Sequence, residues 1–150
     1  MAQIEVHSPD FDDDDFIPRR HGHDDENVSP ALEWEGVPGD TAELLLICED
    51  PDAPSGAFLH WLVTGIEPTV TRVAENDTPS GGREWPNDFG DTGWAGPAPP
   101  HGDDAHHYVF TVYALSAPIG LPADPSADDV HRATGKISLA RGTLTGLFKR

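Results

Sequence analysis

Three apolar stretches stand out from a polar chain. Leu44-Leu45-Leu46-Ile47-Cys48 runs without a polar interruption, the pattern of a strand covered on both faces, and a buried strand is predicted from Leu44 to Glu49. Phe58-Leu59-His60-Trp61-Leu62-Val63 is broken only by its histidine and predicts a second strand from Leu59 to Ile66. Tyr108 to Leu115 alternates in part, is rich in aromatic and β-branched residues, and predicts a third. Gln3 to His7 fits a short strand. Ile137 to Phe148 mixes Gly, Thr and apolar residues, suggesting a short helix that leads into a last strand from Gly142. Ser126 and Asp129 have the spacing of a capping box with Asp in place of Glu, so a short helix should pass through Ala133 and stop at Gly135. Gly36 to Asp40 is a turn cluster. Val70 to Phe89 is a long polar connection, of a length that is usually functional or mobile. There is no internal repeat.

Composition narrows this to one loop-rich β domain over residues 1–150. The chain has 150 residues, 37% of them apolar, with 15 Pro and 15 Gly punctuating the apolar runs. Charge adds more. The net value is −18, which excludes nucleic acid and anionic membrane surfaces as partners. Such an excess fits adaptation to high salt, because the Debye length falls to about 3 Å at molar ionic strength and self-repulsion fades. Most of the excess lies in residues 10–26, predicted as a surface segment anchored by Phe11, Phe16 and Ile17. Asp12 to Asp15 lacks the glycine and closing glutamate of a calcium loop, so solvated charge is the better reading. His21 and His23 lie beside acids and could hold a divalent metal weakly; solvent exposure is preferred, and no metal site is assigned. Cys48 is the single cysteine, so no intrachain disulfide forms, and it should be a buried small hydrophobe. No targeting region or membrane-length apolar run is visible, which points to a cytoplasmic protein without an integral membrane segment.

Candidate chemistry gathers in three segments. Asp50-Pro51-Asp52-Ala53-Pro54 is a stiff acidic loop between two predicted strands, with His60 a few residues on. Asn87-Asp88-Phe89-Gly90 leads to Gly96-Pro97-Ala98-Pro99-Pro100, where glycine allows close backbone approach and proline limits the entropy lost on ordering. His106 and Tyr108 share a phase on the third strand, so both can face one side. Histidines and a tyrosine at strand ends can hold an anion through N–H and O–H donors, and Asp50 can orient them.

At these residues the chain resembles the phosphatidylethanolamine-binding protein family, in its bacterial and archaeal, Raf-kinase-inhibitor-like branch. The resemblance rests on Ser29-Pro30, Leu32 and Trp34, on Glu49 to Ser55, on His60-Trp61, on Asn87 to Gly90, on Gly93 to Pro100 and on His106 to Phe110. It implies a mostly β fold, an antiparallel β-sandwich with a few short helices, and a small anion pocket at one end of the sheets. It makes Asp50, His60, His106 and Tyr108 the polar pocket residues and Gly96, Ala98, Pro99 and Pro100 its loop. Phe58 becomes an apolar rim residue, Asp52 a support of the acidic loop, and Ala53-Pro54 the candidate for a cis peptide bond. His107 stands where the family commonly has arginine. The chain ends near Arg150, which should leave the pocket more open than in the animal proteins.

The function implied is a binding module with a regulatory role, taking phosphate or a phosphoethanolamine-like headgroup, with a kinase or protease as a possible protein partner. No cofactor and no catalytic residue are assigned, since neither Cys48 nor any serine sits in a nucleophile motif. The alternative is a hydrolase acting on a small phosphorylated or acylated substrate, with the carboxylates and histidines as acid and base. A homodimer is compatible with an exposed Trp or Phe in the long loop. If histidine carries the binding, affinity should be higher near pH 6 than at pH 8.

Overall fold

The computed structural model describes residues 2–150; the Met1 end of the predicted domain lies outside the described residues. The described strands are β1 (Ala2–Gln3), β2 (Glu5–His7), β3 (Asp15–Phe16), β4 (Leu32–Glu35), β5 (Glu43–Asp50), β6 (Phe58–Ile66), β7 (Arg72–Val73), β8 (Arg83–Glu84), β9 (His106–Leu115) and β10 (Ser138–Phe148). A short 3-10 turn spans Arg19–His21, and the one described α-helix, α1, spans Ala127–Thr134. The large sheet runs β1-β10-β9-β5-β6-β8, with β3 also pairing β10; the small sheet runs β2-β4-β7. The long strands pair antiparallel, whereas β1 and β3 each lie parallel to β10.

The continuous apolar run of β5 follows from its place between β9 and β6. Leu44, Leu46 and Cys48 face one core with Trp61, Val63, Phe110 and Val112, closed by Leu32 and Trp34 of the small sheet. Leu45 and Ile47 face the other with Leu59, Leu62, Tyr113 and Leu115, closed by Ala127 and Val130 of α1. Both faces of the strand are dry, so alternation vanishes from its sequence. Each of these fully buried aliphatic side chains contributes about 1.5–3 kcal/mol of transfer free energy. Cys48 is among them, and burial pushes its thiol well above the ordinary range.

The capping box forms as predicted: Ser126 Oγ accepts from the Asp129 N–H at 3.1 Å, and Asp129 Oδ2 accepts from the Ser126 N–H at 3.0 Å. Gly135 closes the helix on the His131 carbonyl. The last strand is longer than expected. It starts at Ser138, with no helix between it and α1, and its Gly142 is required because a Cβ there would fall into the Ile4 backbone. The Val70 to Phe89 connection is also more ordered than its composition suggested. It contributes β7 to the small sheet and β8 to the edge of the large one. Within the acidic segment Phe11 and Ile17 are buried anchors, but Phe16 is 56% exposed and anchors nothing.

Candidate functional site

Sheet register brings the predicted polar residues together. The pairs Cys48–Phe110 and Glu49–Val109 continue one step to set Asp50, the last residue of β5, opposite Tyr108 of β9. His106 lies two residues before Tyr108, on the same face. His60 enters from β6 by a different device. The register between β5 and β6 jumps from Cys48–Trp61 to Glu49–Leu59, leaving His60 as the extra residue of a β-bulge. A bulge turns a side chain out of the regular alternation. Here it places the His60 ring 5.2 Å from that of Tyr108, edge to face. The backbone freed by the bulge is satisfied by Ala95, whose N–H donates to the His60 carbonyl at 3.0 Å.

The same Ala95 fixes the tautomer of His60. Its carbonyl can only accept, so Nδ1, 2.6 Å away, carries the proton and Nε2 holds the lone pair. Burial lowers the His60 pKa, outweighing the Ala95 bond and the nearby Asp50 and Asp88 charges, so the ring is neutral near pH 7. His106 is the reverse case. Burial acts to lower its pKa, but hydrogen bonds to Asp50 Oδ2 (2.7 Å, from Nδ1) and Asp103 Oδ2 (3.2 Å, from Nε2) outweigh it, and the pKa is raised. Tyr108 is fully buried, and its hydroxyl has no hydrogen-bond partner. Burial first, then the adjacent Asp50 carboxylate through its charge and a weak contact with the hydroxyl that falls short of a full hydrogen bond, holds the phenol well above its ordinary range, so it stays a donor. The site thus combines an unpaired O–H donor, an imidazole lone pair and a second imidazole bracketed by carboxylates that favour its protonated form.

Asp52 supports the acidic loop as expected. Its N–H donates to Asp50 Oδ1 at 2.8 Å, and its Oδ2 accepts both the backbone N–H and Nδ1–H of His107, each at 2.7 Å. These His107 bonds lower the Asp52 pKa against the opposing effect of burial. Histidine therefore still makes a hydrogen bond to an acidic partner from position 107. The cis expectation fails: the Ala53–Pro54 bond is trans, as are all described peptide bonds. The loop closes instead by a turn in which the Gly56 N–H reaches the Ala53 carbonyl at 3.2 Å. The intrinsic preference of X–Pro bonds for trans then has nothing to overcome it.

Gly96 is required by packing. A Cβ there would enter the His21 carbonyl oxygen, and the Gly96 N–H donates to Asn27 Oδ1 at 2.7 Å. Beyond it, Arg150 holds the loop from outside, with Nε on the Pro99 carbonyl (2.7 Å), Nη2 on the Ala98 carbonyl (3.3 Å) and Nη1 on Asp24. Arg150 therefore braces the rim loop. Pro100 opens the turn in which the Asp103 N–H reaches the Pro100 carbonyl, and this turn delivers Asp103 to His106.

Sequence reasoning missed Ala95, Asp103 and Arg150 as parts of the site. It also left Phe89 out of the rim. Phe89 is 40% exposed, and its ring lies 4.8 Å from that of Phe58, 5.8 Å from His60 and 4.6 Å from His23. Its signal was present in Asn87-Asp88-Phe89-Gly90, an Asx turn in which Asn87 Oδ1 accepts from the Phe89 and Asp91 N–H groups. Phe58 takes the rim place expected, 4.9 Å from the His60 ring. The two loop tryptophans do not cover the pocket. Trp85 is buried against the α1 side with the Arg83 guanidinium 3.8 Å over its ring, and Trp94 packs on Trp61 and Phe110. His21 is fully buried, against the expectation of exposure, because its Nδ1 bonds the Val28 carbonyl at 2.7 Å beneath the Gly96 loop.

A two-sheet β scaffold with a buried Asp-His-His-Tyr cluster at the strand ends, flanked by two Phe rings and a Pro-rich loop, defines a small β protein with a polar cluster at one end of its large sheet. The chain belongs to the phosphatidylethanolamine-binding protein family, whose family model matches residues 7–149. A protein named UPF0098 from Methanothermobacter thermautotrophicus is 41% identical over 145 residues, covering 93% of this chain and 95% of that one. One of the same name from Aquifex aeolicus is 43% identical over 156 residues, covering 99% and 90%. The crystal structure of Escherichia coli YbcL, a PEBP family member, superposes with a TM-score of 0.91 at 30% identity, covering 99% of both chains.

Proposed function

We propose that the cluster binds a small phosphate-class anion, free or as a phosphoethanolamine-like headgroup, and that the protein is a binding and regulatory module rather than an enzyme. The observation that carries this reading is the Tyr108 hydroxyl, fully buried and without a partner. An unsatisfied buried hydroxyl costs about 1–3 kcal/mol, a cost a bound acceptor removes. The neutral His60 asks for the complementary group, a donor to its Nε2. A ligand that accepts from Tyr108 and donates to His60 is a protonated phosphate or phosphomonoester. Sulfate, fully ionised, cannot donate. The half-buried ring of Phe58 and the exposed ring of Phe89 suit an apolar substituent beyond the headgroup.

Calorimetric titration at pH 7 tests this. Phosphate and phosphoethanolamine should bind saturably and more tightly than sulfate, and Tyr108→Phe should abolish the binding. Sulfate binding as tightly as phosphate would overturn the assigned roles of His60 and Tyr108. The Asp50–His106 pair resembles half of a hydrolytic triad, but no serine or cysteine is hydrogen-bonded to it among the described residues. A kinase or protease partner stays a proposal from the family resemblance. The −18 net charge supports salt adaptation. Thermal unfolding against KCl checks that part: stability should rise toward molar salt, and full stability without salt would contradict it.

A further inference from the structure

The most unusual group outside the ligand cluster is His21. Its side chain is fully buried, and its Nδ1 lies 2.7 Å from the Val28 carbonyl, which can only accept. Nδ1 therefore carries a proton, and in the neutral ring Nε2 presents its lone pair. That nitrogen has no hydrogen-bond partner. It points at two carboxylates, 3.6 Å from Asp10 Oδ2 and 3.7 Å from Glu75 Oε1. A lone pair facing two anions requires a positive charge between them. Arg20 meets part of the need from the far side, at 2.9 Å from Asp10 Oδ1 and 2.7 Å from Glu75 Oε1, but it does not reach the Nε2 lone pair.

We propose that His21 Nε2, Asp10 Oδ2 and a Glu75 carboxylate oxygen form a binding site for a zinc-class divalent cation, completed by water. The geometry is close to what a metal needs. Tetrahedral zinc with bonds near 2.0–2.1 Å sets its ligand atoms about 3.3 Å apart; the two distances from His21 exceed this by only a few tenths of an ångström, and all three ligand atoms lie within 4.8 Å of one another. A histidine whose other nitrogen donates to a backbone carbonyl is the usual oriented form of a metal ligand. Asp10 is oriented as well, since its Oδ2 accepts the Ala31 N–H at 3.0 Å. One imidazole and two carboxylates favour zinc or cobalt over calcium and magnesium, which prefer oxygen alone. The site also sits under the rim loop: the His21 carbonyl takes the Trp94 indole N–H, and its position excludes a Cβ at Gly96. A cation there would fasten residues 10, 21 and 75 beneath the ligand site.

The test is calorimetric titration of the full chain with Zn²⁺ at moderate salt, paired with thermal unfolding and with the visible absorption of bound Co²⁺. One strong site is expected, with a Tm rise and a tetrahedral Co²⁺ band, while Ca²⁺ and Mg²⁺ give only weak, non-saturating heats. Glu75→Gln, at an exposed position that leaves the fold intact, should weaken the site by roughly tenfold or more, and His21→Gln should abolish it. His7→Gln, in the wholly exposed Glu5–His7–Glu35 group, should change nothing. Equal Zn²⁺ binding in the wild type and Glu75→Gln would show diffuse attraction to an acidic surface and overturn the proposal. Absence of a strong site in the wild type would overturn it too, and would show that a proton on Nε2 serves the carboxylates instead.

Discussion

In the proposed binding mode the anion also reaches His106, whose Nε2 is held by Asp103. Its carboxylate lies 3.2 Å from Nε2, is 46% exposed, and rides on a turn of exposed residues after Pro100. Asp103→Asn removes this occupant and one negative charge beside the ligand. A half-exposed ion pair of this kind is worth about 0.2–1 kcal/mol after screening. A unit charge about 5 Å from a bound monoanion adds roughly 0.8 kcal/mol of repulsion in a water-like dielectric. Together the two effects come to about 1–2 kcal/mol, a gain in phosphate affinity of roughly fivefold to thirtyfold at low salt. Molar KCl should shrink the gain toward its lower end, because the repulsive part is screened. Calorimetric titration of both proteins with phosphate, at low salt and in 1 M KCl, measures it. Unchanged or weaker affinity in the variant would show that His106 Nε2 does not face the anion, and would refute the reasoning.

Other outcomes follow from the same contacts. Gly96→Ala should destabilise the fold by about 1–3 kcal/mol, because the new methyl meets the His21 carbonyl and no flexible side chain can yield; denaturant unfolding reads this, and a neutral result would contradict the packing. His131 Nε2 lies 2.6 Å from Glu49 Oε2, a bond that is the leading cause of its raised pKa. A raised histidine pKa stabilises the fold fully below the unfolded value of about 6.5 and loses that effect as pH rises through the folded value. Glu49→Gln should therefore destabilise the fold more at pH 6 than at pH 9, by up to about 1 kcal/mol for this partly exposed pair, read by denaturant unfolding at both pH values. His60 acts with the opposite sign: its lowered pKa makes the fold lose stability as pH falls from about 6.5 through the folded value, and His60→Asn should flatten that acid limb. Phosphate should still bind more tightly near pH 6 than at pH 8, through the raised His106 pKa and the proton of the ligand rather than through a charge on His60.

The buried strands were legible because burial on both faces erases most polar positions, which left Leu44 to Cys48 unbroken and Tyr108 to Leu115 interrupted only by Thr111. The helix was legible through a local, side-chain-specific motif. The edge pairings of β1 and β3 were not. They are two residues long and parallel, and their partners lie well over 100 residues away. Of the site, Asp50, His60, His106 and Tyr108 were readable from their motifs and strand phase. The bulge that aims His60 was not, since it exists only in the register against β5. Asp103 is one acid among 27 acidic residues, and only the Pro100 turn sets it apart. His21 looked like a surface residue because its neighbours in sequence are charged. The groups that bury it, the Gly96 loop and the Trp94 indole, come from far along the chain.

The central claim is that the Tyr108 hydroxyl is kept unpaired for a ligand. Thermal unfolding of wild type and Tyr108→Phe, each with and without saturating phosphate, tests it most directly. Without phosphate the variant should equal or exceed the wild type, because an unsatisfied buried hydroxyl worth about 1–3 kcal/mol has been removed. With phosphate only the wild type should gain stability. A variant that is less stable without phosphate, or equally stabilised by it, would show that the hydroxyl serves the fold and not a ligand.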